Sequence, residues 1–308
     1  MSGSWEAFRD SFGTTIDYLQ GGYLNSGSPV PTNIAPLDEL LCGGWRAGLH
    51  IIGGEPAAGK SAFGLFSLMM ASLSGTRSLY VSLEMGRGQC LSRCYSYASL
   101  TTGRPFRWGD TWMLARDARA RRDDALRRGE AMEFAEEFMR SDPYAMAAKS
   151  FDERFGSMAV ADSEALHEIG GIEQAARRGR ASGLECVVVD YLQYIDVEGV
   201  TDEYARVSAA SKRLNRLGVE LGIPIVALAS CSRSGNAKGK APTMHDFKGS
   251  GDIEYHALSA SIIAKDPQDP RARLLHVVKN RFGGTTEPEQ PIVFTFDGAH
   301  NSFELPEC

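Results

Sequence analysis

The sequence predicts an α/β protein: a mostly parallel sheet with helices on both faces, finished by antiparallel strands at its C-terminal edge. Three observations carry that prediction. From His50 to Ala229, apolar strand-like runs alternate with helical patterns. One strand–helix junction, Gly54-Glu55-Pro56-Ala57-Ala58-Gly59-Lys60-Ser61, fits Gly-x-x-x-x-Gly-Lys-Ser, a turn that belongs between a strand and a helix. After about Ala257, strand signals continue with no helix between them.

Each element has its own signal. Trp5, Phe8, Phe12, Ile16 and Leu19 recur at spacings of three and four, which predicts an amphipathic helix over Trp5–Gln20 that Gly21-Gly22 ends. Asn25 to Pro36 is rich in Gly, Ser and Pro and reads as a linker. The division expected is therefore a helix and linker over residues 1–32 and one main domain over 33–308. In that domain His50–Gly53 is a strand and Ser61–Leu73 a buried helix. Ser78–Ser82 is a strand, followed by a helix over Gly88–Leu100. Trp112 to Met139 reads as helix with heavy mixed charge, Met158–Ala161 as a short strand, and Ser163 to Arg180 as a helix. Cys186–Asp190 is an apolar strand ending in a carboxylate. Thr201 caps a helix whose apolar face is Val207, Ala210, Leu214, Leu217 and Leu221. Ile225–Ala229 is buried strand, and Ser261–Ala264, Leu274–Lys279 and Ile292–Phe296 are the late strands.

At 308 residues with 43% hydrophobic and 23% charged content, the chain is long enough for a sizeable core. A net charge of −6 excludes a globally basic nucleic-acid binder, so any such contact must come from a local patch. The six cysteines form no C-x-x-C pair, and Cys90 and Cys94 read as reduced packing residues on a helix. No signal pattern or membrane-length apolar run is present, so the expected setting is cytoplasmic, with no membrane partner. The Arg116–Arg128 cluster alternates with Asp117, Asp123 and Asp124 and reads as a solvated helix face. Trp108 and Trp112, four apart, read as core.

The glycine-rich turn carries the chemistry. A strand feeding such a turn and then a helix aims several backbone N–H groups, and the positive end of the helix, at one point. The cofactor-binding set is Gly54, Glu55, Pro56, Ala57, Ala58, Gly59, Lys60 and Ser61, with ATP as the expected nucleotide. Lys60 would reach the β- and γ-phosphates, and the Ser61 hydroxyl would take a place on Mg²⁺. Hydrolysis needs two further carboxylates, one for the metal and one for the attacking water. Asp190 closes a buried strand, so it lies at the end of the sheet where ligands bind, and is the second metal candidate. Glu84 follows the strand ending at Ser82 and is the candidate base.

These segments resemble the motor domain of the DnaB-type replicative DNA helicases, within the RecA-like ATPases, over about Asn33 to Leu305. Ser82-Leu83-Glu84-Met85 and Asp190-Tyr191-Leu192-Gln193 match that family's segments, in which the Glu is the base and the Asp serves Mg²⁺ through its water shell. Arg93 falls where the family has a nucleotide-proximal arginine. Ser250-Gly251-Asp252-Ile253-Glu254 and Phe296-Asp297-Gly298 match further stretches. Lys279-Asn280-Arg281 resembles a Lys-Gln-Arg whose Lys and Arg reach the neighbouring subunit's γ-phosphate. The resemblance therefore implies that Lys279 and Arg281 are catalytic in a ring, most simply a homohexamer. It also implies single-stranded DNA as substrate, and a helicase loader or primase as partner.

The chain departs from the family at three places. Ser230 stands where a γ-phosphate-sensing glutamine is usual, and its shorter side chain reaches less far. Lys248-Gly249 replaces an Arg-Glu pair, keeping charge but losing the fork of the guanidinium. At the N-terminal end, the Trp5–Gln20 helix is expected to stand in place of the family's linker helix. The loop from Cys231 to Ser250 carries Arg233, Lys238, Lys240 and Lys248 against the single acid Asp246. With Gly249 and Gly251, these residues are the expected DNA contact, tracking phosphates without reading bases. The leading function is an ATP-driven helicase or translocase. The alternative is a RecA-like DNA-binding ATPase without unwinding, a recombination mediator or switch, which the Ser230 position favours.

Overall fold

In the computed structural model, which describes residues 27–231, 241–247 and 250–306, nine strands share one sheet. They are β1 (Gly48–Gly54), β2 (Ser78–Ser82), β3 (Met158–Asp162), β4 (Cys186–Asp190), β5 (Pro224–Ser230), β6 (Ser259–Lys265), β7 (Ala272–Asn280), β8 (Ile292–Asp297) and β9 (Ser302–Glu304). Their order across the sheet is β3-β2-β4-β5-β1-β6-β7-β8-β9. The first six are parallel and the last three antiparallel, as the alternation and its loss after Ala257 predict.

Central strands are apolar without interruption because both their faces are covered. In β4, Cys186 and Val188 face one core while Val187 and Val189 face the other. Helices α1 (Ala35–Leu40), α2 (Lys60–Ser72), α3 (Arg87–Ser99) and α6 (Pro143–Phe155) contribute to the first core, through Leu37, Phe63, Cys90, Cys94 and Phe151. Helices α7 (Ile169–Ala181) and α8 (Glu203–Leu221) contribute to the second, through Ile172, Ala176, Val207 and Leu214. The remaining helices are α4 (Thr111–Arg128), α5 (Ala131–Ser141) and α9 (Ser250–His256). Cys90 and Cys94 are buried and unpaired, as read from the sequence.

Several boundaries differ from the sequence reading. The helix expected over Trp112–Met139 is two, because Gly129 takes a left-handed φ of 76° and closes α4. The helix expected from Ser163 starts at Ile169, after a loop in which Glu168 bridges to Asp196. Asp202, not Thr201, caps α8: its Oδ1 accepts from the Ala205 N–H at 2.8 Å. A carboxylate there also favours the positive helix end. Trp112 is not core but 61% exposed, and Trp108 is only partly covered, because it lies on a turn before α4 and shares no helix face with Trp112. The Arg116–Arg128 face is solvated as expected, with Arg116–Asp117, Arg122–Asp123 and Arg128–Asp124 pairs on exposed side chains. Among the described residues, no helix is long and apolar enough to cross a membrane. The Trp5–Gln20 helix lies outside the described residues.

Candidate active site

The C-terminal ends of β1, β2, β4 and β5 open into a cleft of about 560 Å³, and the loop leaving β1 forms its floor. That loop is bent by two left-handed residues, Ala57 (φ 59°) and Gly59 (φ 100°). Gly59 holds this conformation without a Cβ penalty, while at Ala57 it is strained; strain of this kind persists where surrounding structure enforces it. Pro56, Ala57, Gly59, Lys60, Ser61 and Ala62 line the cleft, opposite Glu84, Met85, Arg93, Tyr191, Ser230, Phe296 and Gly298. Gly54, Glu55 and Ala58 complete the loop behind that lining.

Lys60 folds back on its own loop. Its Nζ donates to the carbonyls of Gly54 at 2.9 Å and Glu55 at 3.0 Å. Burial pushes its pKa down, against the pull of neighbouring Cys231, Asp190, Glu84 and Glu55. Asp190 ends β4 fully buried. Its Oδ2 accepts from the Tyr80 hydroxyl at 2.7 Å, while Oδ1 has no partner in hydrogen-bond geometry among the described residues. Burial pushes the Asp190 carboxyl above its ordinary range, and the Ser61 and Tyr80 hydroxyls only partly pull it back. Glu84 is exposed in the cleft wall just beyond β2, where Met85 N donates to Ser82 Oγ at 3.1 Å and fixes the turn. The fold thus gathers Lys60, Ser61, Glu84, Asp190 and Arg93, residues that lie on four separate elements of the chain.

Lys279 and Arg281 stand apart from it. Lys279 lies on β7 and Arg281 just after it; β7 runs antiparallel to β6, so its start lies at the glycine-rich-loop end of the sheet and its finish at the opposite end. Six residues of strand put Lys279 about 20 Å from Arg273 at the loop end. Lys279 Nζ donates to the Glu254 carbonyl and Arg281 to the Tyr255 carbonyl at 2.8 Å, both at the end of α9. Of the expected DNA residues, Gly251 lies in the first turn of α9. Arg233, Lys238, Lys240, Lys248 and Gly249 lie outside the described residues.

Two site residues, Tyr80 and Arg273, carry no motif in the sequence, and the place of a third, Gln193, comes only with the structure. Tyr80 reads as a core aromatic until strand register sets its hydroxyl on Asp190. Gln193 is buried and its Oε1 accepts from Ser230 N at 3.2 Å, steadying the end of β5 at the cleft. Arg273, 7% exposed, donates from Nε to the Ala58 carbonyl at 3.0 Å and lies over the Phe296 ring at 4.6 Å. It pins the back of the glycine-rich loop, and burial pushes its pKa down. A lone charge inside an apolar strand is the one hint the sequence holds of it.

Comparison with known proteins identifies the family and the fold. Residues 29–304 match the family described as DnaB-like helicase C terminal domain. The replicative DNA helicase DnaB of Geobacillus stearothermophilus is 27% identical over 280 residues, covering 86% of this chain and 54% of that protein. The chain therefore spans about half the length of that relative. A DnaB-like replicative helicase, solved in a study of its interactions with primase, superposes with a TM-score of 0.71 at 19% identity, covering all of this chain and 68% of the other. A KaiC-like protein from Pyrococcus horikoshii gives 0.56 at 15% identity, covering 91% of this chain and 99% of the other.

Proposed function

The chain belongs to the DnaB-like helicase C terminal domain family, and from that premise we propose that it is the ATP-hydrolysing motor of a ring-shaped helicase acting on single-stranded DNA. The observation that carries the reading is the convergence of Lys60, Ser61, Glu84 and Asp190 at one cleft over a strained phosphate loop. The donor set fits Mg²⁺: a hydroxyl beside a buried carboxylate whose Oδ1 lacks a partner among the described residues is the hard-oxygen arrangement that cation takes. Ser61 and Asp190 would hold the ion, which when bound neutralises charge on the phosphates.

The chain's own groups then divide the work. The loop N–H groups and α2 hold the triphosphate, and Lys60 exchanges its carbonyl partners for phosphate oxygens. Glu84 orients a water and takes its proton as the water oxygen attacks the γ-phosphorus; the bond to the bridging oxygen breaks and ADP leaves. Lys279 and Arg281, remote from their own cleft, serve a neighbour's. The loop from Cys231 to Ser250 contacts the DNA, and a loader or primase is a partner by analogy with the relatives. The second reading, a DNA-binding ATPase without unwinding, rests on Ser230, whose short side chain lines the cleft at the sensing position.

The test is ATPase rate with and without single-stranded DNA, beside strand displacement on a forked duplex. The motor reading expects DNA-stimulated hydrolysis and displacement; hydrolysis without displacement supports the second reading. Lys60→Ala should lose binding and turnover together. Glu84→Gln should keep ATP bound while turnover falls by about 10²-fold or more. Parental turnover in Glu84→Gln would remove Glu84 as the base.

A further inference from the structure

Trp108 belongs to none of the motifs. It lies on a short turn, Trp108–Asp110, between α3 and α4. The Arg93 guanidinium sits over its indole, 4.2 Å from the ring centroid. The indole Nε1–H donates to the Gly298 carbonyl at 2.8 Å, and the Trp108 backbone N–H donates to the Ala299 carbonyl at 3.0 Å. From α3, the Ser96 hydroxyl reaches that same Ala299 carbonyl at 3.2 Å. One residue therefore ties α3 to the turn between β8 and β9.

Both tied parts line the cleft. Once the phosphate loop, Glu84 and Ser230 are assigned to the triphosphate end, the remaining walls are Met85, Arg93, Tyr191, Phe296 and Gly298. These are planar or apolar surfaces suited to a nucleobase. Arg93 is held against an aromatic face, and its Nε–H is buried without a partner among the described residues. A guanidinium oriented by an aromatic ring keeps its charge and its second face available for a planar ligand.

Resting on the reading of the cleft as a nucleotide site, we infer that Trp108 is a positioning residue for the nucleobase. It orients Arg93 and fixes the Gly298 turn, so that indole, guanidinium and base form one stack. Trp108 acts through Arg93 and does not touch the phosphates.

The test measures binding of ATP and of tripolyphosphate, which lacks a base, to the full chain with Mg²⁺ by calorimetry. Trp108→Ala should weaken ATP about tenfold, or about 1.4 kcal/mol, and leave tripolyphosphate within about twofold of the parent, which also shows that the loop remains folded. Trp108→Phe, which keeps an aromatic face, should retain most of the ATP affinity. Trp108→Ala added to Arg93→Ala should cost little beyond Arg93→Ala alone, since both remove one stack. If Trp108→Ala weakens both ligands equally, or neither, or if the two substitutions add independently, the inference is overturned while the nucleotide reading stands. A parent protein that binds neither ligand would overturn that reading, and this inference with it.

Discussion

Asp190 stands in a place that disfavours charge. The run Cys186-Val187-Val188-Val189-Asp190 makes its position legible, because four apolar residues ending in a carboxylate describe a buried strand with its last side chain at the sheet's ligand end. Its hydroxyl partner is not legible, because Tyr80 meets it only through the pairing of β2 with β4. The raised carboxyl has a consequence for stability. The folded state binds this proton more tightly than the unfolded chain, so the stability Asp190 takes away appears as pH rises through the ordinary carboxylate range toward its folded pKa and is complete above it. Asp190→Asn removes that cost while keeping an acceptor for Tyr80. Thermal unfolding at neutral pH should rise by at least about 2 °C, with the gap closing in acid, while Mg²⁺-dependent hydrolysis is lost. A lower midpoint at neutral pH would mean that the buried carboxylate is stabilised by its surroundings rather than held at a cost.

Helix α8 and strand β1 meet almost backbone to backbone. A Cβ on Gly218 would stand 2.8 Å from Cα of Gly48, and Asn215 Oδ1 accepts from Leu49 N at 3.2 Å in the same contact. That contact sets the height of the strand feeding the glycine-rich loop. Gly218→Ala forces the backbones apart and should destabilise by about 1–3 kcal/mol in denaturant unfolding. Gly170→Ala in α7, where a Cβ meets nothing within 4 Å, should be neutral or slightly stabilising. Equal effects would show that the close approach is not tight. The face of α8 is legible from its periodicity, but the glycine contact is not, since helix periodicity gives a face and not a distance. Helices α1, α6 and α9 and strand β9 escape periodicity altogether. Helix α6 is announced only by Asp142-Pro143, where Asp142 accepts from Tyr144 N at 3.0 Å and Ala145 N at 3.3 Å. Strand β9 is only three residues long, too short for alternation to register.

Alternation along the chain foretells a parallel sheet with an antiparallel edge, but not the order β3-β2-β4-β5-β1-β6, because crossover helices leave strand neighbours undetermined by sequence distance. That order positions the candidate site. It places β1, β2, β4 and β5 in one contiguous block, which gathers Lys60, Glu84 and Asp190, and the reversal at β7 carries Lys279 and Arg281 to the far end of the sheet. On the proposed reading, a single copy holds an incomplete site and a pair of cations remote from its own phosphates. A ring in which each copy completes the next resolves both, and an arginine supplied across an interface can raise the rate by about 10³-fold or more. The most direct measurement is ATPase in mixtures of Lys60→Ala and Arg281→Ala proteins, each inactive alone. Interfaces between the two kinds of subunit pair an intact phosphate loop with an intact arginine, so mixed oligomers should recover part of the parental rate. Verified mixed oligomers with no recovery, or full activity in a strictly monomeric preparation, would contradict the shared site.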